Sequence, residues 1–205
     1  MQIDGALALD VGPPARRDWL RWMAGGALLA GLDAGAAPVP RRSSVRFPNV
    51  PVVTHEGRTL RFYDDLVRGR SVVFNMMYTV CTNRCPISTA NLLQVQQSLG
   101  PRLGRDIFMY SMTVQPHLDD PAALRDYMQR YGVRPGWTYL TGKPEDMDLL
   151  RRALGFFDSD PALDGEPATH TGMVRAGNEA LNRWLMVPAL SSPHRILRAL
   201  QRIQS

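Results

Sequence analysis

The hydrophobic pattern of the chain centres on an apolar run from Val72 to Tyr78, which leads directly to two cysteines. Its β-branched and aromatic residues predict a strand that is buried on both faces, in the middle of a mostly parallel sheet. Cys81 and Cys85 follow this strand, and Pro86 opens a segment of helical character. Because proline is favoured at the first helical position, we expect a helix to begin at Pro86. The two thiols therefore fall between the carboxyl end of a strand and the amino end of a helix, where open α/β sheets bind their ligands.

The rest of the pattern alternates between strands and helices. Apolar segments bounded by turn residues predict strands at 107–113 and 137–140, helices at 86–99, 121–131, 144–154 and 193–203, and a loop at 156–168. Residues 50–62 predict an amino-terminal hairpin, and residues 169–186 predict a closing hairpin that turns at Gly177 and Asn178. This order of elements predicts an α/β protein with a thioredoxin-like fold and an added N-terminal β-hairpin.

The amino-terminal segment has the pattern of an export signal. The paired arginines Arg16 and Arg17 precede a short apolar stretch rich in glycine and alanine, from Trp22 to Leu32, and small residues follow it. This order resembles a twin-arginine signal. The apolar stretch is shorter than the roughly 20 residues that a membrane span needs. We therefore expect export to a bacterial periplasm, with an uncleaved leader acting as a loose membrane anchor as the alternative.

Length and composition indicate one globular domain after this leader. The chain has 205 residues, of which 44% are hydrophobic and 21% charged, and its formal charge is +5. We divide it into an export signal at 1–36, a proline-rich linker at 37–49 and a folded domain at 50–205. No run of lysine and arginine is interleaved with aromatic residues, so we do not expect nucleic acid as a partner. No transmembrane span is predicted beyond the leader.

Cys81 and Cys85 are the only cysteines of the chain, and three residues separate them. In an oxidising compartment such a pair forms a disulfide unless a reductant or a metal ion prevents it. A bridge across so small a loop adds little stability, because the entropic gain grows with loop length. The pair is therefore predicted to be redox-active or metal-binding. Soft thiolates favour Cu(I) or Zn(II), and a structural zinc ion would need a fourth protein ligand.

A metal ion held by two sulfur atoms leaves room for a further ligand, and an imidazole is the natural candidate. The chain has four histidines, at positions 55, 117, 170 and 194. His55 lies in a predicted turn, His117 in a polar loop and His194 at a helix start, so each is expected to be an ordinary surface histidine. His170 differs because it precedes the late strand, which packs beside the active cysteines in a thioredoxin-like sheet. We therefore predict that His170 is a metal ligand or a redox partner of the cysteines; two thiolates with one imidazole would suit Cu(I) at low coordination number.

Several segments together resemble a known family. They are Phe74–Pro86, which contains a CxxxCP motif after a strand, and then Thr89–Asn91, Gln94–Gln96, Tyr110–Thr113, Trp137–Gly142 and the late pair His170–Thr171. Either the CxxxCP motif or the late histidine alone would be a weak signal, but the combination is specific. From about Pro51 to its end, the chain resembles the SCO/SenC/PrrC family.

The resemblance implies a thioredoxin-like, periplasmic or membrane-facing copper protein whose ligands are Cys81, Cys85 and His170. Members of this family are associated with copper delivery to the CuA centre of cytochrome c oxidase, and some with thiol–disulfide reduction. The chain departs from the family pattern at Gln115, where an acid is usual, and at Thr169, where an aspartate usually precedes the histidine. The missing acid before His170 affects the hydrogen bonding and basicity of that imidazole.

Two functions remain open at this point. The first is a copper chaperone without turnover, whose partners are a CuA-containing subunit of cytochrome c oxidase or nitrous oxide reductase and a thiol reductant. The second is a periplasmic thiol–disulfide oxidoreductase that reduces client cysteines, because both tasks use exposed thiols of low pKa. His170 favours the chaperone, since a dithiol reductase needs no imidazole. A purely structural disulfide is less favoured, and so is a peroxidase, because one residue rather than two separates Thr79 from Cys81.

Overall fold

The computed structural model describes residues 47–164 and 172–205, whose strands form one sheet. The strands are β1 (Pro51–Thr54), β2 (Thr59–Arg61), β3 (Ser71–Met77), β4 (Ile107–Thr113), β5 (Trp137–Thr141), β6 (Met173–Asn178) and β7 (Arg183–Pro188). Their order across the sheet is β2-β1-β5-β4-β3-β6-β7. The three strands β5, β4 and β3 are parallel to one another, and all the other pairings are antiparallel. The apolar run of the sequence is therefore a central strand.

The helices of the described residues lie between these strands and after them. They are α1 (Arg84–Leu99), α2 (Pro121–Tyr131), α3 (Pro144–Ala153), the one-turn α4 (Pro161–Asp164) and α5 (Pro193–Gln204), with a short π-helix at Phe62–Val67 and a 3₁₀ turn at Gly100–Arg102. The bounds of α2 have local causes. The side chain of Asp120 accepts a hydrogen bond from the Ala123 N–H at 2.8 Å, and Gly132 ends the helix with a φ of 67°.

The sheet separates two hydrophobic layers. One face packs against α1, α2 and α5, and its core includes Leu92, Leu124 and Ile196. The other face packs against the π-helix and α3, with Phe62 and Leu150 in its core. Because both faces of β3 are covered, its sequence is apolar on both sides. The predicted fold class, a thioredoxin-like α/β fold with an added N-terminal hairpin (β1 and β2), is confirmed.

Three local predictions were wrong. The helix predicted from Pro86 begins at Arg84, so the proline is its third residue; proline is tolerated there because the first N–H groups of a helix have no intrahelical acceptor. The closing hairpin turns at 179–182 rather than at Gly177 and Asn178, which lie in β6. The predicted loop at 156–168 contains α4, whose Asp164 pairs with Arg151 of α3. This ion pair is a tertiary contact that a local pattern does not contain.

The predicted export signal at 1–36 lies outside the described residues, as does most of the predicted linker. Residues 47–49, the described part of that linker, belong to the packed domain. Phe47 is 6% exposed and its ring meets the ring of Trp184 with centroids 4.8 Å apart, while Asn49 Oδ1 accepts hydrogen bonds from the N–H groups of Tyr63 and Asp64. Among the described residues no helix is both long and apolar enough to cross a bilayer.

The contact between Gly177 and Trp184 explains why a glycine is placed within β6. A Cβ built on Gly177 would lie 2.0 Å from two ring carbons of the indole, which is cross-strand from it. We expect Gly177→Ala to lower the free energy of unfolding by about 1–3 kcal/mol in urea titration, because the ring must move. Gly142→Ala is the control, since its Cβ would meet Met147 Sδ at an ordinary 3.4 Å. Equal losses in the two variants would contradict this account.

Candidate metal and thiol site

The two cysteines occupy different structural positions. Cys81 lies in the loop after β3 and Cys85 is the second residue of α1; both are buried, at 7% and 1% exposure. The Cys85 N–H donates to Cys81 Sγ at 3.4 Å. This N–H is one of the four that a helix start leaves without an intrahelical partner. The Cys81 sulfur therefore takes the place of a capping group, where the partial positive charge of the helix start favours a thiolate.

The two thiols differ strongly in acidity. Burial opposes ionisation of Cys81, but the hydrogen bonds that its sulfur receives from Cys85, Asn83 and Tyr78 together outweigh burial and lower its pKa below the ordinary value. Burial and the hydrogen bond with Cys81 together raise the pKa of Cys85 to about 12. Cys81 is therefore the thiol that ionises first, and Cys85 keeps its proton throughout the neutral range.

A buried carboxylate holds the loop that carries Cys81. Asp119 is fully buried, and its two oxygens accept hydrogen bonds from the N–H and the hydroxyl of Thr79 and from the hydroxyl of Thr113. Thr79 stands two residues before Cys81, and Thr113 is the last residue of β4. The carboxylate thus joins the thiol loop to the end of the neighbouring strand. Burying a charge in this way is tolerated because hydrogen bonds replace its lost hydration.

Gln115, where the family pattern usually has an acid, shapes the same loop through its backbone. Its N–H donates to Thr113 Oγ1 at 2.9 Å, and its carbonyl accepts from the N–H of Asp119 at 3.0 Å. Its side-chain oxygen is buried and finds no hydrogen-bond partner in the described part of the chain. Asp119 is therefore the buried acid of this loop, and the sequence analysis missed it. The sequence did contain a signal for it. Asp120 alone is enough to cap α2, so the neighbouring Asp119 was left without a predicted role.

The chain re-enters the site at the start of β6. Asn75 of β3 pairs with Val174 in an antiparallel register, so Gly172 and Met173 lie beside the end of β3, at the cysteine edge of the sheet. Gly172 packs against Arg84, the first residue of α1, since a Cβ on the glycine would lie 4.0 Å from Arg84 Cδ. The second residue after His170 is thus held beside the first turn of the cysteine helix.

His170 and Thr169 themselves lie outside the described residues. His117 and His194 are exposed, as expected. His55 is instead half-buried: burial lowers its pKa, and its Nδ1 accepts a hydrogen bond from the Tyr139 N–H at 3.3 Å. Within residues 47–164 and 172–205, no group of three or more His, Cys, Asp or Glu side chains could hold a metal ion. The described structure therefore brings together two of the three predicted ligands.

Three exposed apolar side chains belong to the segments that build the site. Val80 precedes Cys81, Ile87 lies in the first turns of α1, and Leu118 adjoins Asp119; they are 64%, 54% and 53% exposed. They lie on the segments that carry Cys81, Cys85 and Asp119, and single exposed apolar residues are common on protein surfaces.

Comparison with known proteins assigns the family. The SCO1/SenC family model matches residues 51–204, which is nearly all of the described chain. The chain belongs to the SCO1/SenC family. No curated protein sequence matches it significantly. The resemblance given by the CxxxCP motif and the late histidine is thereby confirmed at the level of the family.

Solved structures of the SCO1/SenC family share the fold. A SCO1/SenC family lipoprotein from Bacillus anthracis is 21% identical, with a TM-score of 0.63 over 80% of this chain and 97% of that one. Copper-bound ScoI of Bradyrhizobium japonicum is 19% identical, with a TM-score of 0.59 over 76% and 99%. BsSco is 16% identical, with a TM-score of 0.61 over 80% and 96%. This protein therefore spans nearly the full length of these three relatives.

The difference in acidity between the thiols predicts their order of alkylation. When the reduced, metal-free protein is treated with iodoacetamide over a series of pH values, we expect Cys81 to react first, with a midpoint below that of a free cysteine. Cys85 should stay unmodified through the neutral range, because it is buried and its pKa is raised to about 12. Peptide mass spectrometry measures both sites. Equal rates for the two cysteines would contradict the assignment.

Proposed function

We propose that this protein binds one Cu(I) ion through Cys81, Cys85 and His170 and delivers it to the CuA centre of a respiratory enzyme. The observation that carries the proposal is the pair of cysteines at the start of α1, with Gly172 packed beside the same helix turn. Two soft sulfur donors and one imidazole suit Cu(I) at low coordination number. Copper is cargo here, because a chaperone gives up the ion that it binds.

The position of Gly172 supports His170 as the third ligand. Consecutive Cα atoms are about 3.8 Å apart, so two residues span at most about 7 Å. Gly172 lies near the side chain of Arg84, the residue that precedes Cys85 in α1. His170 is two residues before Gly172 in the chain, and this short separation supports it as the third ligand.

The relatives support copper as the cargo. ScoI of Bradyrhizobium japonicum was solved with copper bound, and BsSco is described as a member of a family of cytochrome c oxidase assembly proteins with a disulfide switch. By likeness, we propose a role for this chain in the assembly of a copper-containing oxidase or reductase. We also propose a periplasmic location, which the pair Arg16 and Arg17 ahead of an apolar stretch supports.

A second candidate, thiol–disulfide oxidoreductase, is favoured by the unequal thiols. A dithiol reductant attacks with the more acidic thiolate, here Cys81, and resolves the mixed disulfide with its partner, here the protonated Cys85. In that exchange a sulfur–sulfur bond forms between Cys81 and Cys85, two electrons pass to the client disulfide, and the client leaves as a dithiol. A thiol reductant must then restore the pair. This chemistry needs Asp119 and the helix start but not His170.

Copper titration tests the metal site. Reduced protein is expected to bind one Cu(I) per monomer, and either Cys81→Ala or Cys85→Ala should abolish the stoichiometric binding. His170→Ala should weaken copper binding by at least about 10–100-fold. That range is typical when a residue that only supports a metal ligand is lost, and His170 is proposed as a ligand itself. His117→Ala, an exposed histidine near the same loop, is the matched control and should change nothing. Sulfur-only coordination by X-ray absorption, the same with and without His170, would exclude the histidine.

Assembly of the client separates the two candidate functions. In cells that carry His170→Ala, we expect the copper site of the client enzyme to stay empty, while the purified variant keeps most of its dithiol activity towards a model disulfide. The reason is that disulfide exchange depends on the attacking thiolate and on the leaving sulfur, and not on an imidazole ligand. Normal client assembly with His170→Ala, together with failure with Cys81→Ser, would favour the reductase.

A further inference from the structure

A groove with an arginine-lined wall runs along one edge of the sheet. It lies between β7 and α5, has a volume of about 400 Å³, and is lined by residues 185–188 of the strand and by Arg195, Arg198 and Arg202 of the helix. These three side chains are exposed, and within the described residues they take part in no ion pair. The proposed copper function uses none of them.

The carboxyl-terminal segment that forms the groove carries only positive charges. From Ala180 to Ser205 the chain has four arginines and neither aspartate nor glutamate, so this segment accounts for most of the formal charge of +5. An ordinary solvated helix face mixes both signs, as α3 does where Asp148 pairs with Arg151 and Arg152. The opposite face of α5 is buried in the core through Ile196, Leu200 and other apolar residues. The arginines of α5 are therefore held in place by a rigid helix, but nothing among the described residues neutralises them.

The other wall of the groove is a strand with a free edge. In the described sheet β7 pairs with β6 only, because it is the last strand of the order. A strand at the edge of a sheet has N–H and C=O groups that point away from the sheet, and these groups can pair with a further extended segment. Pro188 and Arg183 stand at the two ends of β7, so the four residues between them form the edge available for pairing.

The spacing of the arginines along α5 matches the spacing of carboxylates on alternate residues of an extended strand. Arg195 to Arg202 rises about 10 Å along the helix, at 1.5 Å per residue. Side chains on one face of a strand recur about every 6.8 Å, so two or three carboxylates on alternate residues cover the same length. A strand added to β7 would place one set of its alternate side chains towards α5, which packs on that face of the sheet.

We propose that this groove binds an extended acidic segment of a partner protein as an eighth strand on β7, with alternate carboxylates paired to Arg195, Arg198 and Arg202. Backbone pairing to β7 supplies the register, and bidentate arginine–carboxylate contacts select acidic sequences. The groove begins near the loop at 189–191, which Asn91 of α1 holds by hydrogen bonds to the Ala189 and Ser191 carbonyls at 3.1 Å. A partner anchored here therefore extends towards the end of the molecule that carries the thiols.

Binding of a designed peptide to the full chain tests the proposal. The probe is an eight-residue peptide with glutamate at every second position and threonine or valine between, and its control has glutamine in place of glutamate. Isothermal titration and amide NMR shifts of β7 report the binding. The acidic peptide should bind and the glutamine peptide should not. The triple variant R195Q/R198Q/R202Q should bind roughly tenfold more weakly, since three exposed ion pairs of about 0.5 kcal/mol each together amount to about one factor of ten.

The matched control is R61Q/R130Q/R134Q, which removes the same charge from three exposed arginines that form no ion pair in the described structure. It should bind as the native chain does, within about twofold. Equal weakening in both triple variants would show attraction by net charge alone and would overturn the proposal, as would the absence of binding to the native chain.

Two further probes test the strand pairing and the kind of partner. Two versions of the acidic peptide carry N-methyl groups on alternate residues, one version on the odd positions and the other on the even positions. One version should lose binding and the other should keep it, because only every second N–H of an added strand points towards β7. Equal tolerance of both peptides would exclude an added strand. Vesicles with anionic headgroups serve as the alternative partner. If they bind with the same dependence on Arg195, Arg198 and Arg202 while the peptide does not, the groove is a membrane contact and the proposal fails.

Discussion

The buried carboxylate of Asp119 is the constraint on which the site depends. Its oxygens accept hydrogen bonds from three donors on Thr79 and Thr113, and the residue is fully buried. A hydrogen bond to a charged group contributes about 1.5–3 kcal/mol, whereas a buried carboxylate without such bonds costs several times that amount. The loop before Cys81 can therefore adopt its conformation only with these bonds in place, and the position of the first sulfur follows from them.

The helix start makes the two cysteines chemically unequal. Cys81 lies outside α1, where its sulfur accepts an N–H that the helix leaves free, and Cys85 lies inside the first turn, where the core surrounds it. A pair of this kind serves either task proposed for a SCO1/SenC protein. In the proposed disulfide exchange, Cys81 would be the attacking thiol because its pKa is lowered. The same two sulfur atoms form a soft donor pair for Cu(I) once Cys85 loses its proton, and a disulfide between them would prevent metal binding.

The sheet order places distant segments at one end of the molecule. β3 and β4 are parallel, so the loops that follow them, with Cys81 and Asp119, leave the sheet at the same edge. β6 is antiparallel to β3, so it begins at that edge, beside α1, where Gly172 meets Arg84. In the described sheet β2 and β7 are the two terminal strands, and the outer edge of β7 lies next to the arginines of α5. One topology thus produces both the thiol site and the edge strand on which the proposed acidic segment would pair.

Local patterns in the sequence predicted the central strand, most of the strands and helices in their order, the junction of a strand and a helix at the two cysteines, and the family. These features depend on local apolar patterns and on short spacings, which a single stretch of chain contains. Only the tertiary structure decided that Asp119 holds the Thr79 loop, because the two residues are 40 positions apart and meet through the pairing of β3 with β4. It also decided that Cys81 lies outside the helix and Cys85 inside it, and that three arginines of α5 line a free strand edge. The Asp119 contact and the arginine-lined edge depend on packing between different elements of the fold, and no local pattern records such packing.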